Sequence, residues 1–413
     1  MALIYRLLLT LAAPILIGAL VLRVLRRRES WRDLGARLGL RRCDAALWLH
    51  GASNGELMAA RPLIRALSER FSDSRILVTC NTITARRMVQ GWDLPNVCAE
   101  LAPLDLRWSL RGRAHAASLR AFVLLEADFW PNRQAVLARR GIPALLVGGR
   151  MSARSARSWG RFGGLGRAVM GSFAQVWPQS EPARDVLMQL GVADAAMADV
   201  LDLKAAYDAG HTPVAKGLER STTWLAASTH EGEDALVLQA HAIARRTLPG
   251  LRLILAPRHP KRGDALADMV RSKGFSLARR SADEPPGGDV YLADTMGEMD
   301  LWYASSFACF VAGSVVPKGG HTPFEPLSHG CAILHGPHTE TFAGIYADLD
   351  TAGGAELIHD ADELAHALVA LTDQSVAAHR TAQARQVIAQ RSAPAQSIAE
   401  IVQTLENLAF RDT

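Results

Sequence analysis

The sequence predicts two facing doubly wound α/β domains of Rossmann-like type, preceded by an apolar N-terminal helix. Three observations predict this. The 413 residues exceed one ordinary α/β core and suit two. Short continuous apolar runs alternate with helical stretches, as parallel strands buried on both faces do. A turn-rich, weakly patterned stretch from Ala209 to Thr222 divides these runs into two series. Ligands of such sheets bind beyond the carboxyl ends of the strands, so the expected site is a cleft into which both sets of strand ends open.

The first element spans residues 1–28. Its core, Leu7–Leu22, reads LLLTLAAPILIGALVL, with Arg6 before it and Arg23, Arg26, Arg27 and Arg28 after it. A cleaved signal peptide needs a small-residue cleavage site and a flank that can be translocated, and this basic flank resists translocation. A full span needs roughly 20 apolar residues, slightly more than the run supplies. A shallow or single-span anchor fits, with its basic end on anionic headgroups and the rest of the chain in the cytoplasm. A buried N-terminal helix is the alternative.

The first domain, 29–208, carries the runs Ala45–His50, Arg75–Cys80, Cys98–Pro103, Ala121–Glu126, Pro143–Gly148 and Phe173–Trp177. A linker, 209–222, leads to the second domain, 223–393, with runs at Trp224–Ser228, Leu251–Pro257, Val290–Ala293, Ala308–Ala312 and Ala332–Leu334. The tail from Ala361 to Leu408 reads as helical, and 394–413 forms a closing helix.

Composition narrows the function. An apolar share of 49% and a charged share of 21% are those of a folded protein. The five cysteines, Cys43, Cys80, Cys98, Cys309 and Cys331, include no C-x-x-C pair. This argues against a disulfide framework or a zinc site and for buried thiols in a reducing compartment. The net charge of +5 is uneven, with Arg111, Arg139, Arg140, Arg150, Arg154, Arg157, Arg161 and Arg167 crowding the first half. Such clusters suit phosphates or an anionic membrane. No nucleic-acid recognition motif accompanies them. The absence of a Walker A loop, a first-strand G-x-G-x-x-G and H-E-x-x-H disfavours an ATPase, a simple NAD enzyme and a zincin.

Chemistry is therefore sought after each strand. After the first comes Ser53-Asn54-Gly55-Glu56, opening a helix. Glu56 is a candidate general base; alternatively it complements the helix dipole, which lowers a carboxylate's basicity. After the fourth comes Glu126-Ala127-Asp128-Phe129-Trp130, where Asp128 stabilises charge at a reacting centre or caps the next helix. In the second domain Arg258 and His259 leave one strand, and Gly297, Glu298 and Met299 open a helix. Gly313 to Pro326 is the densest signal: Gly319 and Gly320 expose backbone N–H groups beside His321, Thr322, Pro323, Phe324 and Glu325. Together these exits describe a nucleotide pocket, with Glu325 able to accept from ribose hydroxyls. His230 and Glu231 lie at a further exit, as cleft lining or as a hydrogen-bonded loop.

At these residues the sequence resembles the Kdo transferases, which attach 3-deoxy-D-manno-octulosonic acid (Kdo) from CMP-Kdo to the lipid A precursor of Gram-negative bacteria. The resemblance runs in order through the apolar anchor, Gly55-Glu56, Glu126–Asn132, Arg150–Ser155, Ala226–Glu233, Pro257–Pro260, Met296–Glu298, Gly319–Pro326 and Gly336–His338. It implies a GT-B fold, with an acceptor domain followed by a CMP-sugar domain, inversion at the anomeric carbon, no cofactor and no catalytic metal. It implies Glu56 as base, with Asp128 and Lys204 supporting the transition state. Arg258, His259, Gly297 to Met299 and Thr322 to Glu325 then bind CMP, with Ser53, Gly319, Gly320 and His321 as further contacts. The implied partners are CMP-Kdo, a lipid A precursor and the cytoplasmic face of the inner membrane, without nucleic acid. A membrane-bound relative that binds nucleotide or lipid without turnover, and a GT-B transferase using another nucleotide sugar, are the alternatives.

Overall fold

The computed structural model describes residues 2–41, 43–114, 118–206, 212–391 and 394–410. Parts of the expected linker and tail, 209–211, 392–393 and 411–413, lie outside the described residues. The chain forms two compact units, Met1–Ala206 with Ser392–Thr413, and Tyr207–Arg391. The closing helix Pro394–Ala409 thus belongs to the first unit. Its Ile401 and Leu405 join that unit's core, and Phe410 stacks on Phe71 with ring centroids 4.4 Å apart.

The first unit holds a six-stranded parallel sheet: β1 (Leu47–His50), β2 (Ile76–Cys80), β3 (Val97–Leu101), β4 (Ala121–Leu125), β5 (Ala144–Gly149) and β6 (Phe173–Pro178). Their order, β3-β2-β1-β4-β5-β6, is doubly wound about β1 and β4. Both faces are covered, so residues of either parity are apolar. Leu47 and Leu49 enter one core while Trp48 enters the other; Val123 and Phe122 divide likewise on β4.

The second unit's parallel sheet contains β7 (Thr223–Thr229), β8 (Arg252–Pro257), β9 (Leu277–Arg279), β10 (Val290–Leu292), β11 (Ala308–Val311), β12 (Ala332–His335) and β13 (Ala355–Leu357). The order is β13-β12-β11-β7-β8-β10-β9, so the winding reverses at β7 and β11. Strands β9 and β13 are absent from the sequence reading. Each is three residues long and sits at a sheet edge, and neither carries a continuous apolar run.

The helix Ala2–Leu25 is long and apolar enough to cross a membrane, with a mean hydropathy of 2.3. It nevertheless touches the globular unit near both ends. The Tyr5 hydroxyl donates to Asp105 Oδ2 at 2.9 Å, and Leu20 and Val24 pack on Leu34. The helix therefore lies along the unit, and Leu3, Leu7, Leu8, Leu11 and Ile15 are exposed. Among the cysteines, Cys80, Cys309 and Cys331 are buried as expected, but Cys43 and Cys98 are only half-buried, as thiols with sulfurs 2.9 Å apart.

Candidate active site

The reversal of winding in the first sheet parts the loops after β1 and β4, and the predicted acids Glu56 and Asp128 follow those two strands. Ser53 caps the short helix Asn54–Ala59, its Oγ accepting from the Glu56 N–H at 3.3 Å. The Glu56 carboxylate turns back on this cap, accepting from Ala52 N–H at 2.6 Å and Ser53 Oγ at 3.2 Å. Helix dipole and donors lead one to expect an ordinary or depressed pKa. The opposite holds: burial, then the negative charge of Glu126, outweigh the two donors and push Glu56 up to about 7.

Glu126 follows β4 with φ at +54°, in the left-handed region that a residue with a Cβ seldom occupies. That turn keeps its carboxylate buried beside two cations, Arg150 Nε at 2.5 Å and Lys204 Nζ at 3.8 Å. Glu126 is thus an acid paired with Lys204. The Lys204 backbone N–H is held by Asp202 Oδ1 at 3.1 Å.

Asp128 does not cap the helix Pro131–Arg139. Asp105 does so, accepting from the N–H groups of Asn132 and Arg133 at 2.9 and 2.8 Å. Asp128 faces β1 instead, where His50 Nε2 lies 2.6 Å from its Oδ2. His50 Nδ1 is 2.9 Å from Thr79 Oγ1, which accepts from Trp48 Nε1 at 2.8 Å. Burial, then the charge of Arg133, lowers His50 to about 4. Neutral at pH 7, it donates Nε2–H to Asp128 and accepts from the Thr79 hydroxyl. Burial alone would raise Asp128; the His50 hydrogen bond and the nearby positive charge prevail and hold it well below the usual carboxylate range. The buried Arg133 guanidinium also donates to the Asp128 carbonyl oxygen.

In the second unit the loops after β7 and β11 meet at the sheet's reversal. Glu233, fully buried, organises them: Oε2 accepts from the N–H groups of His230 and Gly313 at 2.9 and 2.8 Å, and Oε1 from those of Ser314 and Val315, each at 3.0 Å. His230 and His321 stack with rings 8° from parallel and Nε2 atoms 3.1 Å apart. Desolvation lowers both, His321 to about 4, so one neutral ring donates to the other. Gly319 and Gly320 have φ of +84° and +73°, and a Cβ on Gly319 would lie 2.4 Å from Thr341 Oγ1. Glycine is required there by both conformation and space.

The remaining predicted residues fall as follows. Arg258 and His259 are exposed just beyond β8, and His259 stands edge-on to His230 at 6.0 Å. Gly297 has φ of +92°, and Met299 begins the helix Met299–Ala304. Glu298 pairs with Arg280 at 2.9 Å. Thr322 Oγ1 accepts from Phe324 N–H at 3.4 Å, Pro323 precedes the helix Phe324–Ser328, Phe324 is buried and Glu325 half-buried. Among the described residues no group of three His, Cys, Asp or Glu side chains is placed to hold a metal ion. The reading of the sequence gave no role to Glu233, His50, Asp105 or Arg133. The signal for the first two is positional: Glu233 stands before a helix after a strand-end glycine turn, and His50 is the polar last residue of an apolar strand.

Two doubly wound units with polar groups gathered beyond their strand ends are the GT-B architecture. Solved structures of this kind extend over both units. A putative UDP-N-acetylglucosamine 2-epimerase from Listeria monocytogenes superposes with a TM-score of 0.60 at 13% identity, covering 89% of this chain and 97% of that one. Anabaena HepE, in complex with UDP and glucose, gives 0.56 at 12% identity, covering 88% and 100%. At such identities the likeness is one of fold. The chain belongs to the 3-deoxy-D-manno-octulosonic acid transferase family. The family model of that description, also called kdotransferase, matches residues 29–207. The transferase of Haemophilus influenzae is 30% identical over 393 residues, covering 91% of this chain and 92% of its own. That of Bordetella pertussis is 33% identical over 345 residues, covering 77% of each.

Proposed function

We propose that this chain transfers Kdo from CMP-Kdo to a lipid A precursor, with inversion, at the cytoplasmic face of the inner membrane. Glu56 is the general base. It takes the proton of an acceptor hydroxyl as that oxygen bonds to the Kdo anomeric carbon, while the bond from that carbon to the CMP phosphate oxygen breaks on the opposite face. The centre passes through an oxocarbenium-like state, as in glycoside hydrolysis. Lys204 and Arg258 offset the departing negative charge, and Asp128, fixed by His50, faces the developing positive one. Arg258, His259, Gly297 to Met299 and the segment Gly319–Glu325 hold CMP. The exposed apolar side of Ala2–Leu25 rests in the membrane surface, in keeping with the helix's contacts to the unit beneath it.

The observation that carries this reading is the state of Glu56: a carboxylate beside the first sheet's winding reversal, held by backbone and serine donors yet pushed to about 7. A base that titrates near the working pH is suited to accept a proton. The test is mass analysis of lipid product from purified protein, CMP-Kdo generated in situ and tetra-acylated precursor, beside Glu56→Gln. A Kdo mass increment with the wild type alone supports the reading. No increment with CMP still bound overturns the acceptor assignment.

A further inference from the structure

One buried carboxylate, Glu126, faces two cations. Arg150 Nε donates to its Oε2 at 2.5 Å, and Lys204 Nζ lies 3.8 Å from its Oε1. The Arg150 backbone N–H donates to the Glu126 carbonyl oxygen at 3.2 Å, so backbone and side chain both tie the arginine to one residue. Yet the Arg150 side chain is 46% exposed. Only Nε takes part in the pair; among the described residues neither terminal nitrogen of the guanidinium makes a hydrogen bond. A guanidinium anchored at Nε presents its two NH2 groups edge-on, the geometry that takes both oxygens of a carboxylate.

The surrounding charge explains what such a fork is for. Glu56, Glu126 and Asp128 bring three carboxylates to the loops after β1 and β4, and the charges of the last two both act on Glu56. An anion arriving beside them is repelled unless a cation with free donors meets it. Arg133 is buried and donates to the Asp128 carbonyl oxygen, and Lys204 is largely covered beside Glu126. Arg150 is the most exposed of the three. The sugar that the proposed reaction brings to Glu56 is an anion of this kind. It is a 2-ulosonic acid, so its carboxylate is bonded directly to the anomeric carbon that the acceptor oxygen attacks. The charge and the reacting atom are separated by one C–C bond, about 1.5 Å. Whatever neutralises that carboxylate has to stand beside the base.

We infer that Arg150 selects the donor: its two terminal nitrogens bind the carboxylate of the transferred sugar, while Glu126 fixes the guanidinium through Nε, a role that rests on the donor proposed above. Glu126 is then the residue that positions the arginine, and the left-handed turn at its own backbone sets where the fork stands. A contact made alike in the ground and transition states tightens donor binding without raising kcat. The role is therefore read in affinities.

The full chain is titrated calorimetrically with three ligands. They are CMP, a stable CMP-Kdo analogue with a methylene in place of the oxygen between phosphorus and the anomeric carbon, and the carboxamide of that analogue. The wild type is expected to bind the carboxylate analogue at least about tenfold more tightly than the carboxamide. In Arg150→Gln that ratio is expected to fall to about one, with CMP affinity unchanged. A merely structural role for the pair with Glu126 would move all three affinities together. Should loss of the cation impair folding, Arg150→Lys keeps a charge beside Glu126 but offers one nitrogen, and is expected to lower the ratio roughly threefold or more. A carboxylate preference that persists in both variants, or is absent from the wild type, overturns the inference while tight binding of the analogue leaves the donor reading standing. A persistent preference with a raised KM for the lipid acceptor gives Arg150 to the acceptor's phosphates and equally overturns it. An analogue that binds the wild type no better than CMP removes the donor reading and the inference with it.

Discussion

His50 Nε2 lies 2.6 Å from Asp128 Oδ2, tying the last residue of β1 to the loop after β4 where the sheet reverses its winding. The bond closes a chain that runs from Trp48 through Thr79. His50→Leu removes the donor to Asp128 and leaves the Thr79 hydroxyl to the Leu49 carbonyl oxygen, 3.2 Å away. The expected cost is about 1–3 kcal/mol, read as a lower urea midpoint at constant m. Asp128 loses its chief support, so its pKa should rise, and kcat should fall more than KM changes. Equal losses in both would point to a general packing role.

With Glu56 as the proposed base, the reaction is expected to depend on pH with a definite sign. If it must be ionised, kcat rises with pH through about 7 and levels above it. Glu126→Gln removes a negative charge that holds Glu56 up, and releases Arg150 and Lys204 from that carboxylate. Both changes lower the Glu56 pKa, so the acid limb moves to lower pH. A limb that stays in place or moves upward contradicts the coupling.

The same raised pKa predicts a stability cost. Below the unfolded value of 4.5 Glu56 is protonated in both states and contributes nothing. Between there and about 7 the folded state binds the extra proton, so stability falls as pH rises, and the full penalty is present above 7. Glu56→Gln should therefore match the wild type at pH 4 and exceed it at pH 8 by about 1–2 kcal/mol, allowing for partial solvent screening. Denaturation midpoints at the two pH values test it.

The strands flanking each reversal were legible because burial on both faces writes them as unbroken apolar runs, such as Leu47–Leu49 and Ala308–Val311. The edge strands β9 and β13 were not, since an edge needs no such run. In the site, residue type and strand-end position were enough to single out Glu56 and Asp128, but not their partners. Lys204 meets Glu126, and the left-handed turn at Glu126 that sets where this acid points is not encoded in Glu-Ala-Asp. Asp105 and Glu233 read as ordinary acids; their roles rest on backbone N–H groups far away in sequence.

Asp105 joins the apolar helix to the loop after β4. It takes the Tyr5 hydroxyl on one side and the Asn132 and Arg133 N–H groups on the other, and Arg133 in turn holds the Asp128 carbonyl. Tyr5→Phe removes only the first bond and should cost about 1 kcal/mol, with faster proteolysis at Arg26–Arg28 as the helix loosens. Asp105→Ala also uncaps the helix Pro131–Arg139 and should cost about 2–4 kcal/mol. If both variants cost the same, the cap at Asn132 and Arg133 carries no weight.

Glu233 is the sharpest test of how the second unit shapes the loop proposed to hold CMP. Four backbone N–H groups from two loops converge on one carboxylate, so the path of Gly313–Val315 depends on two acceptor oxygens. Glutamine keeps the shape but offers one acceptor, and it turns an NH2 group toward N–H donors. Two donors are then left unpaired in a buried site, a cost of about 2–5 kcal/mol. Because Gly313 precedes Gly319, Gly320 and His321 in the same loop, nucleotide affinity should fall with stability. Calorimetric titration of CMP, performed well below each variant's melting midpoint, separates the two effects. A folded Glu233→Gln should bind CMP at least tenfold more weakly, whereas the exposed neighbour changed in Glu231→Gln should bind as the wild type does. Normal CMP affinity in folded Glu233→Gln would confine Glu233 to stability and leave the nucleotide loop to be shaped by its glycines alone.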